Sequence, residues 1–474
     1  MILPRLALLC LLLIGLAAAR GGLPPNVLFL FADDQRPDTI AALGNPVIRT
    51  PHLDQLARDG ISFRHAYMQG AFVGATCVPS RAMLLSGQSL FHVDTKLLRD
   101  ETWPAAFGRA GYQTFMTGKW HNDPAAIGLS FQNARAVFTG GMGDPMSLPV
   151  SDLAGGSLTK PVRTKRHACE VFADEAIRFL KGVREGPFFC YVPFDAPHDP
   201  HIVPASFPVR YRAEEIPLAP NFLPLHPFDN GEMTIRDEVL LPHPRTPEAV
   251  RQMNADYYRY ISFLDSQIGR ILDALAKSRW ASNTIVVFSA DSGVARGSHG
   301  LIGKQNLYEH SVGVPLLISG PGIPRGGRTD ALCYLYDLLP TLGAFCGVPA
   351  PRASEGRDLS AVLRDPAQAG RPDLVFAYRE VQRAIRDPQW KLIRYPVVDR
   401  TQLFDLAADP FETNDLAALP AQAERVAALS ARLAAELHEA GDTAPLRVAH
   451  PKPAAWSPPI QTNAPAAAAG PAPR

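Results

Sequence analysis

The chain has 474 residues, enough for one large layered domain with a smaller appendage. Its 47 basic and 46 acidic residues are scattered along the sequence and leave a formal charge of +1. That balance advertises no polyelectrolyte partner and excludes nucleic acid as the expected ligand.

The first predicted element is a leader. Arg5, an apolar run from Leu6 to Leu16 and the small residues Ala17, Ala18 and Ala19 read as a secretory signal over residues 1–19, so the expected location is secreted or periplasmic. The run is shorter than the roughly 20 apolar residues that cross a bilayer, and no other stretch comes near that length. Cys10 sits inside the run with no small residue before it, which disfavours a lipid anchor. Five cysteines then remain: Cys77, Cys169, Cys190, Cys333 and Cys346. An odd number in an oxidising compartment leaves one unpaired, and spacing does not decide how the others pair.

Asn26 to Asp34 (NVLFLFADD) has the look of a strand buried on both faces that ends in two carboxylates. The helical stretch His167–Lys181 leads into a second such strand, Phe188–Phe194. Nine prolines between Pro204 and Pro247, with weak periodicity, predict an irregular excursion over the surface, expected to form part of the pocket rim. Apolar residues three and four apart from Val250 to Ala276 mark a helix packed by one face on a sheet. Thr284–Gly293 (TIVVFSADSG) repeats the strand-then-aspartate design. Helix followed by strand, recurring, argues for an α/β layered sheet. Ligands of such sheets bind beyond the carboxyl ends of the strands, where Asp33, Asp34, His198 and Asp291 are expected to converge. Beyond about residue 350 the texture changes. Trp390–Tyr395 and Gln402–Leu406 read as strands of a small antiparallel sheet, and Ala421–Glu439 as an amphipathic helix. The Pro/Ala-rich residues 451–474 are expected to be disordered.

Adjacent aspartates in a poorly solvated crevice repel each other unless a cation neutralises them. Carboxylate oxygens without a thiolate or imidazole cluster suit a hard ion, Ca²⁺ or less readily Mg²⁺, and not zinc. The plainer alternative is that one aspartate caps the next turn; Asp291 in a matching position weighs against it. In ATCVPSRAMLLSG, Pro79 can take the first helical position, with Cys77 at the helix N-terminus and Arg81 one turn along. Amide donors, the helix dipole and a guanidinium there favour an anion and an ionised or modified cysteine. A lone cysteine is otherwise read as a small buried hydrophobe.

CVPSR followed by AMLLSG resembles the signature CxPSR of the sulfatase family, in which the cysteine is oxidised to formylglycine. TGKWH at Thr117–His121, APH at Ala196–His198, SADSGVARGSHGLIGKQNLYEH at Ser289–His310 and QLFDLAADPFETNDLA at Gln402–Ala417 extend the resemblance over nearly the whole mature chain. It looks closest to the iduronate-2-sulfatase-like group of the alkaline phosphatase superfamily. The resemblance implies an α/β/α sandwich around a large mixed sheet, with a catalytic domain over 20–350 and a small antiparallel-sheet subdomain over 351–450. It implies Ca²⁺ held by Asp33, Asp34, Asp291 and the modified Cys77, with Ser292 standing where the family usually has Asn or His as the fourth protein ligand. Asp291 would polarise one hydroxyl of the hydrated aldehyde for attack on sulfur, His198 and Lys304 would protonate the departing alcohol, and His121 would take the proton of the second hydroxyl. Lys119 and Arg81 would hold the hydrate and the helix end. A formylglycine-generating enzyme is the implied maturation partner and a sulfated small molecule or glycan the implied substrate.

Each assignment has a bland alternative. Lys119 and His121, two apart, share a strand face or form a loop pair; His198 beside Pro197 and Pro200 is a turn residue; Lys304 is loop charge. His201 and His299 divide between lining a site and structural hydrogen bonding, and Asn306, Glu309 and His310 carry no assignment. Asp195 stands where many members have the first histidine of HxPH. Two other functions compete: a phosphate or phosphonate ester hydrolase of the same superfamily, and a sulfatase-like binding protein without chemistry.

Overall fold

The computed structural model describes residues 24–182 and 185–459; the predicted leader lies outside them. The core is a nine-stranded sheet. Five strands run parallel through its centre and one side: Thr284–Ala290, Asn26–Ala32, Phe188–Pro193, Gln113–Lys119 and Asn133–Phe138. Every residue of Asn26–Ala32 and Thr284–Ala290 is buried, as their central apolar runs Val27–Ala32 and Ile285–Phe288 require. On the other side Gly313–Ser319, alone among the described strands of this sheet, reverses direction, antiparallel to both Thr284–Ala290 and Gly60–Tyr67, which makes the sheet mixed.

Helices fall into two contacting groups that sandwich the sheet. Pro51–Asp59, Ala168–Lys181 and Pro247–Ala276 form one; Cys77–Ser86, Trp103–Arg109 and Leu338–Cys346 form the other. The 30-residue helix Pro247–Ala276 begins where Thr246 Oγ1 accepts from Ala249 N at 3.2 Å and proline takes the first turn. Tyr257, Ile261, Leu264, Ile268, Ile271 and Leu275 give it one buried face. The proline-rich stretch before it holds only two short 3₁₀ turns among its described elements, Ala213–Glu215 and Arg236–Leu240.

A second sheet runs Arg400–Asp405, Trp390–Tyr395, Gln382–Arg386, Leu374–Tyr378, antiparallel throughout, and is closed by the two-residue strand Gly70–Ala71. That last strand comes from the segment leading to Cys77, so the C-terminal sheet is stitched to the loop before the helix. Gly70 is required there: its φ is 119° and a Cβ would lie 1.9 Å from the Ala377 carbonyl oxygen. Helix Ala423–Glu439 covers the sheet with Leu429, Leu433 and Leu437, each burial stabilising by about 1.5–3 kcal/mol.

Three local expectations are revised. Helix Cys77–Ser86 starts at Cys77 itself, two residues before Pro79. His121 does not share a strand face with Lys119, because the strand ends at Lys119 and His121 turns into a left-handed conformation with φ 65°. The tail is held as far as Trp456: Asp229 N donates to the Ala454 carbonyl at 2.8 Å and Trp456 packs edge-on to His243. The five described cysteines are all buried, and Cys77, Cys169, Cys333 and Cys346 carry free thiols, so the odd count forces no pairing among those four.

Candidate active site

Asp33 and Asp34 follow one central strand, Asp291 follows its parallel neighbour, and Cys77 opens its helix; one ligand atom from each lies within 4.8 Å of the others. The register pairing Ala32 with Ala290 sets the two aspartate turns side by side, and Asp34 N donates to Asp291 Oδ1 at 3.0 Å. Asp34 has φ 62°, a conformation that aspartate tolerates better than most residues.

Three cations meet these three carboxylates. Arg81 donates from Nε to Asp291 Oδ2 at 2.9 Å, from Nη2 to Asp33 Oδ2 at 2.8 Å and from Nη1 to the Lys119 carbonyl at 2.9 Å. Lys119 Nζ lies 2.5 Å from Asp33 Oδ2, and Lys304 Nζ donates to both Asp34 oxygens at 2.6 and 2.7 Å. The repulsion between Asp33 and Asp34 is thus relieved by the protein's own side chains. Burial alone would raise the Asp33 carboxyl, yet Lys119 and Arg81 hold it far below the carboxylate range. Asp291 moves the other way, raised by burial and by Asp33.

The same carboxylates correct the expectation of an ionised cysteine. Cys77 Sγ donates to Asp33 Oδ1 at 3.4 Å and receives Lys304 Nζ at 3.1 Å. Burial, Asp291 and Asp33 push the thiol well above its ordinary value, outweighing Lys304. Residue 77 as cysteine is a neutral thiol, and its sulfur occupies the position from which a modified side chain would act.

The donor set fits a hard divalent ion. Asp33, Asp34 and Asp291 offer oxygens from separate turns, and Ser292 Oγ donates to Asp34 Oδ1 at 2.8 Å, which keeps its hydroxyl at the same carboxylate. No imidazole belongs to this group of donors. Lys304, forked on Asp34, is the side chain that must yield to such an ion.

Above the carboxylates lies a cavity of about 250 Å³ with Cys77, His121, His198 and Lys304 on its wall. Arg81 and Lys119, both fully buried, are absent from that wall and act beneath it on Asp33. His198 Nδ1 bonds the Asp199 carbonyl at 2.8 Å, and its Nε2 is 3.6 Å from Asp34 Oδ2. His121 is pushed down to about 2 by burial and by Lys119. A wider hollow of about 680 Å³ between the ends of helices Ala168–Lys181 and Pro247–Ala276 holds none of these groups.

Residues 25–348 match the sulfatase family model, more than half of the chain. The chain belongs to the sulfatase family. Residues 297–439 also match the C-terminal model of N-sulphoglucosamine sulphohydrolase. Among curated relatives, mouse iduronate 2-sulfatase is 28% identical over 77% of this chain and 79% of its own length. N-acetylglucosamine-6-O-sulfatase of Bacteroides thetaiotaomicron is 27% identical over 83% of this chain and 82% of its own. Both are sulfuric ester hydrolases. A solved structure in complex with its substrate D-glucosamine-2-N,6-O-disulfate superposes with a TM-score of 0.71 at 24% identity, covering 90% of this chain and 99% of that one. The likeness shows that this sulfatase has the alkaline-phosphatase-like fold expected of it. No helix among the described residues is long and apolar enough to cross a membrane.

The sequence placed the proline-rich excursion at the pocket rim but singled out none of its residues, and it left the other parts of the cavity wall beyond the assigned residues unread. Gly141 and Met142 approach from one loop, Ile235, Arg236 and Asp237 from the proline-rich excursion, and Gln305 from beside Lys304. Gly141 serves two neighbours at once, since its carbonyl accepts from Lys119 Nζ at 2.5 Å and a Cβ on it would lie 2.6 Å from His121 Nε2. The glycines of TGGMG were the available signal. Arg236 pairs with Asp199 and Asp237, and so braces the backbone that orients His198.

Proposed function

We propose that the chain removes sulfate from a sulfated carbohydrate, using a formylglycine made from Cys77 and a calcium ion held by Asp33, Asp34, residue 77, Asp291 and Ser292. One observation carries this reading. Cys77 heads a buried helix on the cavity wall, 3.1 Å from the Lys304 ammonium, as a thiol that its neighbours keep neutral. A neutral thiol is a weak nucleophile, so chemistry at this position calls for its modified form.

When present, the formylglycine supplies a hydroxyl nucleophile and the calcium ion polarises a sulfate oxygen. Asp291, fixed by Arg81 and by the Asp34 amide, accepts the proton of the attacking hydroxyl at its carboxylate. Lys304 Nζ turns from Asp34 to the sulfate oxygens, adding positive charge where negative charge develops. His198 protonates the departing alcohol from Nε2, since Nδ1 is committed to the Asp199 carbonyl. His121, kept neutral by burial and Lys119, takes the proton of the second hydroxyl in the release step. Arg81 and Lys119 position Asp33 from below. The matched relatives named for iduronate and N-acetylglucosamine sulfates support a sugar substrate, and the secretory signal expected from the sequence over residues 1–19 supports action outside the cytoplasm.

Mass spectrometry of the peptide containing residue 77, from a host that carries the maturation enzyme, is expected to read the aldehyde. An unmodified thiol in an active preparation would sink the mechanism. Turnover of an aryl sulfate well above the matching aryl phosphate is expected, and the reverse preference would favour a phosphate or phosphonate hydrolase.

A further inference from the structure

A second cluster of ligand-type side chains lies outside the catalytic cavity. His299 comes from the loop after Thr284–Ala290, His310 from the short helix Glu309–Val312 and Glu412 from the loop after Arg400–Asp405; one donor atom from each lies within 4.8 Å of the others. The three residues are 7%, 6% and 2% exposed. Both ring nitrogens of His310 and Nε2 of His299 are buried without a hydrogen-bond partner. Buried polar atoms are almost always bonded, so three orphaned nitrogens around one carboxylate point to a ligand that completes them.

The donors are ready for a metal. Burial depresses both imidazoles, His299 to about 3, so their lone pairs are free at neutral pH. Glu412 Oε2 accepts from Glu309 N at 2.8 Å, while its Oε1 makes no hydrogen bond and lies 2.9 Å from Lys391 Nζ. That ammonium opposes a cation here, but it is also 2.9 Å from Glu309 Oε1 and keeps a carboxylate partner if Glu412 turns to an ion. Two imidazole nitrogens with one carboxylate form a borderline-soft set, unlike the oxygen donors of the catalytic cluster.

We propose that His299, His310 and Glu412 bind a divalent transition ion of the zinc type, as a structural clamp between the C-terminal sheet and the loop that carries Asp291. The link to that loop is direct: Gly293 N donates to the Ser311 carbonyl at 2.9 Å, and a Cβ on Gly293 would lie 2.1 Å from the His310 carbonyl oxygen. The proposal is independent of the catalytic reading, and its test reads metal content and spectra, not turnover.

The full-length mature protein, stripped with a chelator and resaturated with calcium, is titrated with Co²⁺. The expected result is one equivalent bound, with visible d–d bands of nitrogen ligation, displaced by Zn²⁺ with a rise in melting temperature. Binding should weaken at least about 10-fold in His310→Ala and persist in Asp291→Asn. Absence of a cobalt band and of any zinc-dependent melting shift in the wild type overturns the proposal and leaves a buried water as the occupant. Equal binding in His310→Ala and His299→Ala, or loss in Asp291→Asn, overturns it too, since the ion would then sit elsewhere. The wild-type titration decides the matter even if a variant does not fold.

Discussion

Two buried clusters of opposite charges sit in this molecule, and they differ in what they leave free. The catalytic cluster sets Asp33, Asp34 and Asp291 against Arg81, Lys119 and Lys304. The other, between the two sheets, sets Glu309 and Glu412 against Lys391 and Arg386. Both balance. Of the two, only the first has a cavity above it and a reactive side chain in contact. Charge pairing alone therefore does not mark a site of catalysis; access and a reactive side chain do.

The largest effect that could break this contrast is at residue 77. Cys77→Ala should lower sulfatase turnover by at least about 10⁴-fold while the circular dichroism spectrum and calcium binding persist; undiminished turnover would end the catalytic reading. The next effect belongs to the closed cluster. Lys391→Met removes a fully buried ammonium from two carboxylates, so stability should fall by about 3–5 kcal/mol, read by urea denaturation, with kcat of the folded enzyme little changed. Lys304→Met should invert that pattern. With calcium in excess to claim Asp34, its melting temperature should stay near wild type while kcat drops by roughly 10²–10³-fold. Comparable stability losses in both lysine variants would erase the distinction.

What the sequence disclosed follows the same division. Asp33, Asp34 and Asp291 were legible because each ends a run of apolar residues whose burial on both faces fixes where the strand stops. Trp390–Tyr395 was read at its observed limits for a related reason, since its hydrophobic face repeats within one short element. The protonation of Cys77 was not legible: a helix N-terminus and Arg81 argue for an anion, whereas burial, together with the carboxylates of Asp291 and Asp33, pushes the thiol the other way. Gly70–Ala71 carries no strand signal of its own and exists only as an edge partner of Leu374–Tyr378. The proline-rich excursion was expected at the pocket rim, but Arg236 and Asp237 come from a segment with almost no regular structure, and no local pattern singles out which of its residues reach the cavity.

The smallest predicted effect tests whether that unread wall matters. Gly141 carries two constraints: its carbonyl holds Lys119 Nζ, and its missing side chain makes room for His121. A methyl 2.6 Å from Nε2 must push the imidazole aside or tilt the loop, and a displacement of about 1 Å in a catalytic group commonly costs up to 100-fold. Gly141→Ala should therefore reduce kcat by roughly 10- to 100-fold, with a much smaller change in KM, because His121 is proposed to act in sulfate release and not in substrate binding. A burst of alcohol followed by slower steady turnover should appear in the variant if release has become limiting. If instead KM rises with kcat intact, the loop shapes the sugar pocket, and the proton acceptor for release must be sought elsewhere on the wall.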